Sequence, residues 1–477
     1  MVTGDKTPGL HVEGIPNLPP SVTPVETAVP AFIGYTEKAE DLQLNDLHLK
    51  PTRISSMVEY ETYFGLPQPE AAITVAVTVT TVGDIVTPQK AVSSLTQQAR
   101  SKHIVYYALQ TFFANGGGPC YVVSVGPYKA LGSPLDEAEL SAGLDAARKQ
   151  DEPTLIVFPE AQGLAIDKFR TLQDAALQQC ADLMDRFVVM DVHGDTEAMS
   201  DPAADLVKAI TNFRTRGLGA DNLKYGAAYA PNIETTLEFS FDATMTQVAI
   251  ETDGVLAPPV GLATLEATEN AIFAMAKASI ADLPCILPPS AAMAGVYATV
   301  DINRGVWKAP ANVNVAAVTE PTIPVSDTEQ DQMNVDLAGG KSVNAIRSFP
   351  GDGALVWGAR TLAGNDNEWR YISVRRFFIF VEASVTKATT QFVFEPNDAN
   401  TWIRVQGMIE TFLTTLWRQG ALQGVKLQDA FYVAVGLGKT MTALDILEGR
   451  MIVEIGMAPV RPAEFIILRF SQKMAAP

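Results

Sequence analysis

The sequence predicts a mixed α/β and α+β protein with more than one domain. Its 477 residues exceed what one hydrophobic core usually serves, so two or three domains are expected. Helical and strand-like segments alternate from residue 135 to about 230, which is typical of an α/β layer with a partly parallel sheet. The last hundred residues, Trp369 to Phe470, combine two helical patterns with three alternating ones, which predicts a compact α+β unit.

Residues 1 to about 25 are predicted to form an extended arm. Prolines recur through this stretch, prevent a helix and discourage self-pairing: Pro8, Pro16, Pro19, Pro20 and Pro24. Between them lies one short alternating segment: Leu10, His11, Val12, Glu13, Gly14 and Ile15. Such an arm is either disordered or an extended strand that needs a partner sheet.

The remaining elements follow from hydrophobic periodicity and from glycine and proline stops. Strands are predicted at Ala31–Tyr35, Ala71–Val82, Cys120–Val125, Thr154–Phe158, Phe187–Asp191 and Tyr225–Ala230, with a β-rich stretch near 232–260. Helices are predicted at Ser56–Phe64, Val92–Ala114, Glu137–Arg148, Lys168–Leu183, Pro202–Arg214 and Gly261–Ile280.

The C-terminal unit begins with a predicted short strand at Tyr371–Val374. From Phe377 the apolar residues recur every three to four positions, which predicts a helix. The Pro396-Asn397-Asp398 sequence then breaks the chain and offers capping side chains for a second helix, which Gly420 ends. Three alternating segments read as strands of one sheet: Phe431–Val435, Met451–Ile455 and Phe465–Phe470.

Composition argues against several classes of protein. No run approaches the ~18 to 20 apolar residues that span a bilayer, and residues 1–14 lack the apolar core of a signal peptide. The sequence has three cysteines, which lie too far apart for a metal site or a disulfide framework: Cys120, Cys180 and Cys285. No cofactor is expected. The net charge is −19, yet residues 369–477 carry +3 and the other 368 residues carry −22. No basic stripe with interleaved aromatic residues points to nucleic acid.

Several clusters of uncommon residues resemble one known family. They are Glu368-Trp369-Arg370-Tyr371 with Val374-Arg375-Arg376, Phe394-Glu395-Pro396-Asn397-Asp398, Trp402, Gly420-Ala421-Leu422 and Arg461-Pro462-Ala463-Glu464-Phe465. In this order they resemble the C-terminal domain of contractile tail sheath proteins, found in myovirus-like phages, R-type pyocins and extracellular contractile injection systems. The resemblance extends to residues 1–25, about 90–125 and about 285–475.

The resemblance implies a multidomain sheath subunit that polymerises helically around an inner tube and contracts to drive the tube through a target membrane. It implies the following organisation: an N-terminal arm (1–25), the first part of the core (26–130) with a small insertion at 66–90, an outer α/β domain (131–285) with the β-rich insertion near 232–260, a return segment and domain junction (286–368), a C-terminal sheath domain facing the tube (369–462), and a C-terminal strand or arm (463–477).

Strand donation between neighbours is the assembly mode that the resemblance implies. The donated strands would be Leu10, His11, Val12, Glu13 and Ile15 in one arm and Phe465, Ile466, Ile467, Leu468, Arg469 and Phe470 in the other. Three cations of the C-terminal domain are candidates to meet acidic residues of the tube: Arg404, Arg418 and Lys426. The expected partners are further copies of the chain in a helical array of hexameric rings, the inner tube, and baseplate and terminator proteins. Sheath paralogues are a further option. Neither nucleic-acid binding nor membrane insertion is expected.

Charged residues near the C-terminal unit are interpreted as structural ion pairs. Asp301 and Arg304 are predicted to fix a tight turn in DINRG, with Trp307 packing a domain junction. Three arginines lie within apolar runs and are therefore predicted to be paired, within or between subunits: Arg375, Arg376 and Arg461, with Glu382, Glu395 or Glu464 as candidate partners. Glu395 and Asp398 read better as helix-capping residues than as a catalytic pair.

Two other classes of function remain as alternatives. One is a static shell or tube-associated protein of the same particle. The other is a nucleotide-using α/β enzyme, which Gly436-Leu437-Gly438-Lys439-Thr440 superficially suggests. A phosphate loop needs a glycine where Val433 stands, so the segment is predicted to be a strand-to-loop turn, and no enzyme activity is expected. The particle is expected to assemble in the bacterial cytoplasm as a phage tail, or as a related particle that is released or anchored to a membrane.

Overall fold

The computed structural model describes residues 21–82, 85–95, 100–193, 202–336 and 339–465. The described chain divides into two compact units. The larger unit comprises residues 25–383 and 461–465, and the smaller one comprises residues 21–24 and 384–460. The predicted arm strand at residues 10–15 and the predicted strand residues 466–470 lie outside the described residues.

The larger unit is built on an eight-stranded sheet. Its spatial order is β16-β15-β8-β7-β6-β1-β5-β2, and the six inner strands are parallel while β16 and β2 are antiparallel edge strands. The strands are β1 (Pro30–Thr36), β2 (Thr52–Ile54), β5 (Cys120–Pro127), β6 (Leu155–Val157), β7 (Phe187–Asp191), β8 (Gly226–Ala230), β15 (Val343–Phe349) and β16 (Gly353–Trp357). Strands β1, β6, β7 and β8 are buried throughout, because helices cover both faces of a parallel sheet.

Two smaller sheets complete the strands of this unit. One has the order β11-β10-β3-β4, with β12 paired to β10, and the other has the order β13-β9-β14. Their strands are β3 (Thr74–Val82), β4 (Ile85–Ser94), β9 (Ile233–Thr235), β10 (Gln247–Thr252), β11 (Val255–Leu256), β12 (Val260–Gly261), β13 (Cys285–Leu287) and β14 (Val318–Pro321). Residues 232–260 are therefore β-rich, as the sequence predicts.

The helices of the larger unit pack mainly on these sheets. They are α1 (Met57–Phe64), α2 (Val105–Ala114), α3 (Glu137–Ala147), α4 (Ile166–Leu183), α5 (Pro202–Asn212), α6 (Leu262–Thr268), α7 (Asn270–Ala281), α8 (Ser290–Arg304), α9 (Asp327–Asn334) and α10 (Ile372–Thr389), whose last six residues belong to the smaller unit. The largest hydrophobic core lies around the eight-stranded sheet, and a second core joins β3 and β10 to α6 and α7.

The smaller unit pairs one long helix with a two-stranded sheet. Its elements are α11 (Ala399–Arg418), α12 (Leu427–Ala430), β17 (Phe431–Val435), α13 (Ala443–Leu447) and β18 (Val453–Met457). Asp398 accepts hydrogen bonds from the amides of Asn400 and Thr401 and so caps α11, as predicted. The Gly436–Thr440 segment is a turn, in which the amides of Lys439 and Thr440 both donate to the carbonyl of Gly436.

Three predicted elements are wrong. Residues 92–94 continue strand β4, where Val92 pairs with Ala76, so the helix predicted from Val92 begins only at Val105. The predicted helix Gly261–Ile280 is two helices, α6 and α7. Residues 372–374 form the start of helix α10 instead of a strand. Residues 372–377 are all buried, so the alternation of apolar and polar residues there does not mark the buried and exposed faces of a strand.

All three cysteines are free and buried: Cys120, Cys180 and Cys285. Burial raises the pKa of the Cys120 and Cys180 thiols far above the usual value and raises that of Cys285 to about 11. Among the described residues, no helix is long and apolar enough to cross a membrane.

Candidate assembly surfaces

The two-stranded sheet of the smaller unit has unpaired edges. Strands β17 and β18 pair antiparallel from Phe431 opposite Met457 to Val435 opposite Val453, and no third strand joins them within the described part of the chain. Beyond β18 the pairing is continued by Gln423, whose amide donates to the carbonyl of Ala458 at 2.8 Å. The outer edges of both strands therefore present backbone N–H and C=O groups that an added strand can satisfy.

The hydrogen-bond parity of this sheet identifies which amides face outward. The amide of Ala458 donates to the carbonyl of Ala430 at 2.9 Å, which makes these opposite residues a hydrogen-bonded pair. Because such pairs alternate in an antiparallel ladder, Gly456 and Glu454 direct their amides toward β17. The amides of Val453, Ile455 and Met457 therefore point to the open edge of β18.

The smaller unit also exposes many large apolar side chains. Phe394 is fully exposed and holds a left-handed backbone conformation with φ of 70°. Others that are more than half exposed are Val393, Ile403, Val425, Leu437, Leu444 and Leu447. A surface this rich in apolar groups is typical of an interaction site.

The three cations predicted to face the tube are all exposed. Arg404 lies 3.5 Å from Glu395 and over the ring of Phe392, so one of the three already has an intramolecular partner. Arg418 and Lys426 make no ion pair with any described residue. The three lie at different points of the unit: Arg404 and Arg418 near the two ends of α11, and Lys426 just before α12.

A buried arginine holds Thr27, which closely follows the predicted N-terminal arm in sequence. Arg376 of α10 forms a two-point ion pair with Asp301 of α8, at 2.6 and 3.0 Å, and both side chains are only 4% exposed. Its Nη2 also donates to the carbonyl of Thr27 at 2.8 Å, and the Thr27 hydroxyl donates to Asp301 at 2.6 Å. We call Thr27, Asp301 and Arg376 the N-terminal anchor.

A second buried arginine holds the start of the C-terminal segment. Arg360 donates to both carboxylate oxygens of Glu464, at 2.8 and 2.7 Å, while Asn334 and Tyr371 donate to the same carboxylate. Burial alone raises the pKa of Glu464, but the hydrogen bonds from Arg360 and Asn334 outweigh burial and hold it below the usual value. We call Asn334, Arg360, Tyr371 and Glu464 the C-terminal anchor.

The observed partners correct several predicted pairings. Asp301 pairs with Arg376 instead of Arg304, because residues 301–304 form the last turn of α8, ended by Gly305, and not a tight turn. Trp307 packs edge-to-face on the buried ring of Phe377, within the larger unit.

Two other arginines of the predicted set have different surroundings. Arg375 pairs with Glu382, one of its predicted candidates, and lies over the rings of Tyr225 and Trp369. Arg461 is exposed and pairs with no carboxylate among the described residues of its own chain, so an ion pair between subunits stays a prediction.

Sequence reasoning missed Thr27 and Arg360 as anchor residues. Arg360 stands between Ala359 and Thr361 in an apolar stretch, which is the signal that singled out Arg375 and Arg376. Thr27 carries no comparable signal, because its role depends on contacts with residues more than 270 positions away. Within the described ranges, no group of three or more His, Cys, Asp or Glu side chains could hold a metal ion.

Two family models match most of the chain. Residues 136–362 match the phage tail sheath protein central domain, and residues 364–473 match the phage tail sheath C-terminal domain. The chain belongs to the phage tail sheath family. The second match covers the open two-stranded sheet. Of the main ion pair in the C-terminal anchor, Arg360 lies in the first match and Glu464 in the second.

Curated sheath proteins are similar over part of their length. The chain is 26% identical over 180 residues to a prophage major tail sheath protein of Pseudomonas aeruginosa, and 29% identical over 142 residues to the tail sheath protein of Burkholderia phage BcepMu. The aligned segments are 37% and 29% of this chain, and span 44% and 30% of those relatives.

Solved sheath structures are similar over the whole chain. The sheath of the extracellular contractile injection system PVC in its contracted state is 29% identical, with a TM-score of 0.63 and 99% of each chain covered. The helical sheath of the anti-feeding prophage in its contracted state is 31% identical, with a TM-score of 0.62, and 98% of this chain and 100% of that chain are covered.

Proposed function

We propose that this chain is the structural subunit of a contractile sheath, which polymerises helically around an inner tube and contracts to drive the tube through a target membrane. The observation that carries the proposal is the two-stranded sheet β17–β18, whose two edges are unpaired within the described chain. Added strands would pair the backbone N–H and C=O groups that these edges leave open.

The two chain ends supply candidate strands for these edges. Residues 10–15 and 465–470 are the proposed donors, each reaching the smaller unit of a neighbouring subunit. Main-chain hydrogen bonds would then link each subunit to its neighbours, and a repeated contact that does not close on itself produces a helical array. The anchors support this arrangement because they fix Thr27, just after the proposed N-terminal arm, and Glu464, just before the proposed C-terminal donor strand.

The smaller unit is the proposed tube-facing part. Its exposed apolar residues and the cations Arg404, Arg418 and Lys426 offer a mixed surface for an acidic tube protein. Baseplate and terminator proteins, and sheath paralogues where they exist, are the other proposed partners. The particle would assemble in the bacterial cytoplasm as a phage tail or as a related particle that is released or anchored.

Electron microscopy of the chain produced with its genomic neighbours tests the proposal. We expect striated tubes of two kinds, a long narrow form around an inner tube and a short wide empty form. A static shell or tube protein would assemble without changing length, and compact unassembled particles from the intact gene set would refute the proposal.

A proline at the open edge tests strand addition itself. Ile455→Pro removes an amide that points away from β17, so the subunit should fold while tubes are lost. Ile455→Ala is the matched control, because it shortens the same side chain but keeps the amide, and it should still assemble. Deleting residues 1–20 should likewise leave folded but unassembled subunits; assembly of either the deletion or the proline variant would contradict strand addition.

A further inference from the structure

Both edges of the eight-stranded sheet are protected against an added strand. An edge strand with free backbone groups can pair with any extended chain, including an arm of a neighbouring copy. Residues 312–315 lie along β16, where the amide of Val315 donates to the carbonyl of Ala354 at 2.9 Å. The amide of Val356 in turn donates to the carbonyl of Val313 at 3.0 Å. At the opposite edge β2 has only 3 residues, so neither edge offers a long row of free groups.

One edge of the five-stranded sheet, β11-β10-β3-β4 with β12, is interrupted by a proline. This edge is β4, a strand of 10 residues that no described strand joins on its outer side. The carbonyl of Val79 in β3 accepts from the amide of Asp253 at 3.1 Å, which lies on the β10 side. The N–H and C=O of one strand residue point to the same side, so Val79 forms no ladder hydrogen bond with its opposite residue, Pro88. The nitrogen of Pro88 therefore points to the open edge, where proline has no N–H to offer.

The opposite edge of the five-stranded sheet carries two prolines. After β10 the chain turns back at Asp253-Gly254 and pairs with β10 again as β11 and β12. Pro258 and Pro259 lie between these two short strands, and both are exposed. The amide of Ala257 donates inward to the carbonyl of Ile250 at 2.9 Å, so the nitrogen of the next residue, Pro258, points outward. An added strand would again meet a residue without an N–H.

The two remaining sheets differ in the same respect. In the larger unit β13 lies between Pro284 and Pro288, and β14 ends in Pro321. In the smaller unit neither β17 nor β18 contains a proline. Within the described part of the chain, β17–β18 is thus the sheet whose two edges are both uncovered and free of proline.

We propose that Pro88, Pro258 and Pro259 close the five-stranded sheet to strand addition, so that the N-terminal arm of a neighbouring copy pairs with β17–β18 alone. The inference rests on the strand addition of the proposed function and assigns the residues that give it specificity. At each proline an added strand would lose a ladder hydrogen bond and leave a carbonyl unpaired. Without these prolines one arm could link copies in more than one way, which favours irregular aggregates over a helical array.

Replacing the three prolines with threonine tests the restriction, because threonine supplies the missing N–H and favours a strand. The full chain with Pro88→Thr, Pro258→Thr and Pro259→Thr is produced with its genomic neighbours. Hydrogen–deuterium exchange of each product is compared with that of the same chain carrying Val12→Pro, which breaks the donor strand of the arm.

In the wild type we expect the intact arm to slow exchange in residues 431–435 and 453–457 by at least about tenfold and to leave residues 85–94 and 255–261 unchanged. In the triple variant the arm should slow exchange in these latter two segments as well. Electron microscopy should then show irregular aggregates in place of most ordered tubes.

Pro134→Thr is the matched control. Pro134 is exposed in the loop before α3 and lies outside any strand, so its replacement should change neither exchange nor tubes. A thermal melt checks that the triple variant folds, and Pro88→Thr alone gives the same test at residues 85–94 if it does not.

Two results would overturn the proposal while leaving strand addition intact. One is arm-dependent slowing at residues 85–94 or 255–261 in the wild type. The other is a folded proline variant that forms ordered tubes with no arm-dependent change in those segments. If the arm slows exchange in neither β17 nor β18, strand addition itself is wrong, and this inference fails with it.

Discussion

Removing Asp301 should destabilise the larger unit far more than removing an exposed carboxylate. In the N-terminal anchor, Asp301 and Arg376 are both 4% exposed and joined by two charge-assisted hydrogen bonds, at 2.6 and 3.0 Å. In Asp301→Ala, Arg376 keeps only the carbonyl of Thr27 and the ring face of Tyr297, 4.6 Å away. Leaving a buried charge without its partner costs about 3–5 kcal/mol.

Urea denaturation of the full chain measures this difference, and hydrogen–deuterium exchange of α8 and α10 localises it. Glu395→Ala is the control, because Glu395 and Arg404 are 42% and 52% exposed and 3.5 Å apart, so its loss should cost less than about 1 kcal/mol. The double variant Asp301→Leu with Arg376→Met should recover most of the loss, since it leaves no unpaired charge. A cost for Asp301→Ala no larger than that of the control would refute the reasoning.

Three further outcomes are expected. Burial raises the pKa of Asp191 to about 7, so this carboxyl keeps a proton in the folded protein that it releases near pH 4 in the unfolded chain. The stabilisation that this proton gives the folded state is full at low pH and is lost as pH rises through 7. Between pH 5 and 8 the wild type should therefore lose about 2–3 kcal/mol more unfolding free energy than Asp191→Asn; equal pH profiles would contradict this. Glu464→Gln should speed hydrogen exchange in residues 461–465, because Arg360 loses its ionised partner; unchanged exchange would show that the anchor does not hold this segment. A thiol reagent should label none of the cysteines in native protein and all three in urea: Cys120, Cys180 and Cys285; native labelling would show that their burial is transient.

Hydrophobic periodicity predicted correctly those elements whose apolar residues in the sequence are also the ones buried in the fold. Strand β7 has the predicted bounds, Phe187–Asp191, because the run is too short for a typical helix and contains the β-branched pair Val188 and Val189. Helix α11 keeps one buried stripe, which includes Val405, Ile409, Phe412 and Leu416, and its cap at Asp398 was readable from the Pro-Asn-Asp sequence.

Prediction failed where burial or pairing is set by distant parts of the chain. The start of α10 is buried on all sides, so no period distinguishes helix from strand there. Residues 92–94 look helical in isolation but pair with β3. The anchors could not be assigned because many arginine–carboxylate pairings are compatible with one sequence, and only the fold brings Arg376 to Asp301 and Arg360 to Glu464.

The two anchors converge on one end of α10, which has a mechanical consequence. Tension applied at Thr27 enters this helix through Arg376. Tension applied at Glu464 enters it through Tyr371, the residue before the helix, which also bridges to Arg360. Five residues separate these points, about 8 Å along a helix. In a polymer linked through its chain ends, pulling forces from the two ends would thus meet at this short stretch of α10, beside the paths that lead from Thr27 into β1 and from Glu464 into Arg360.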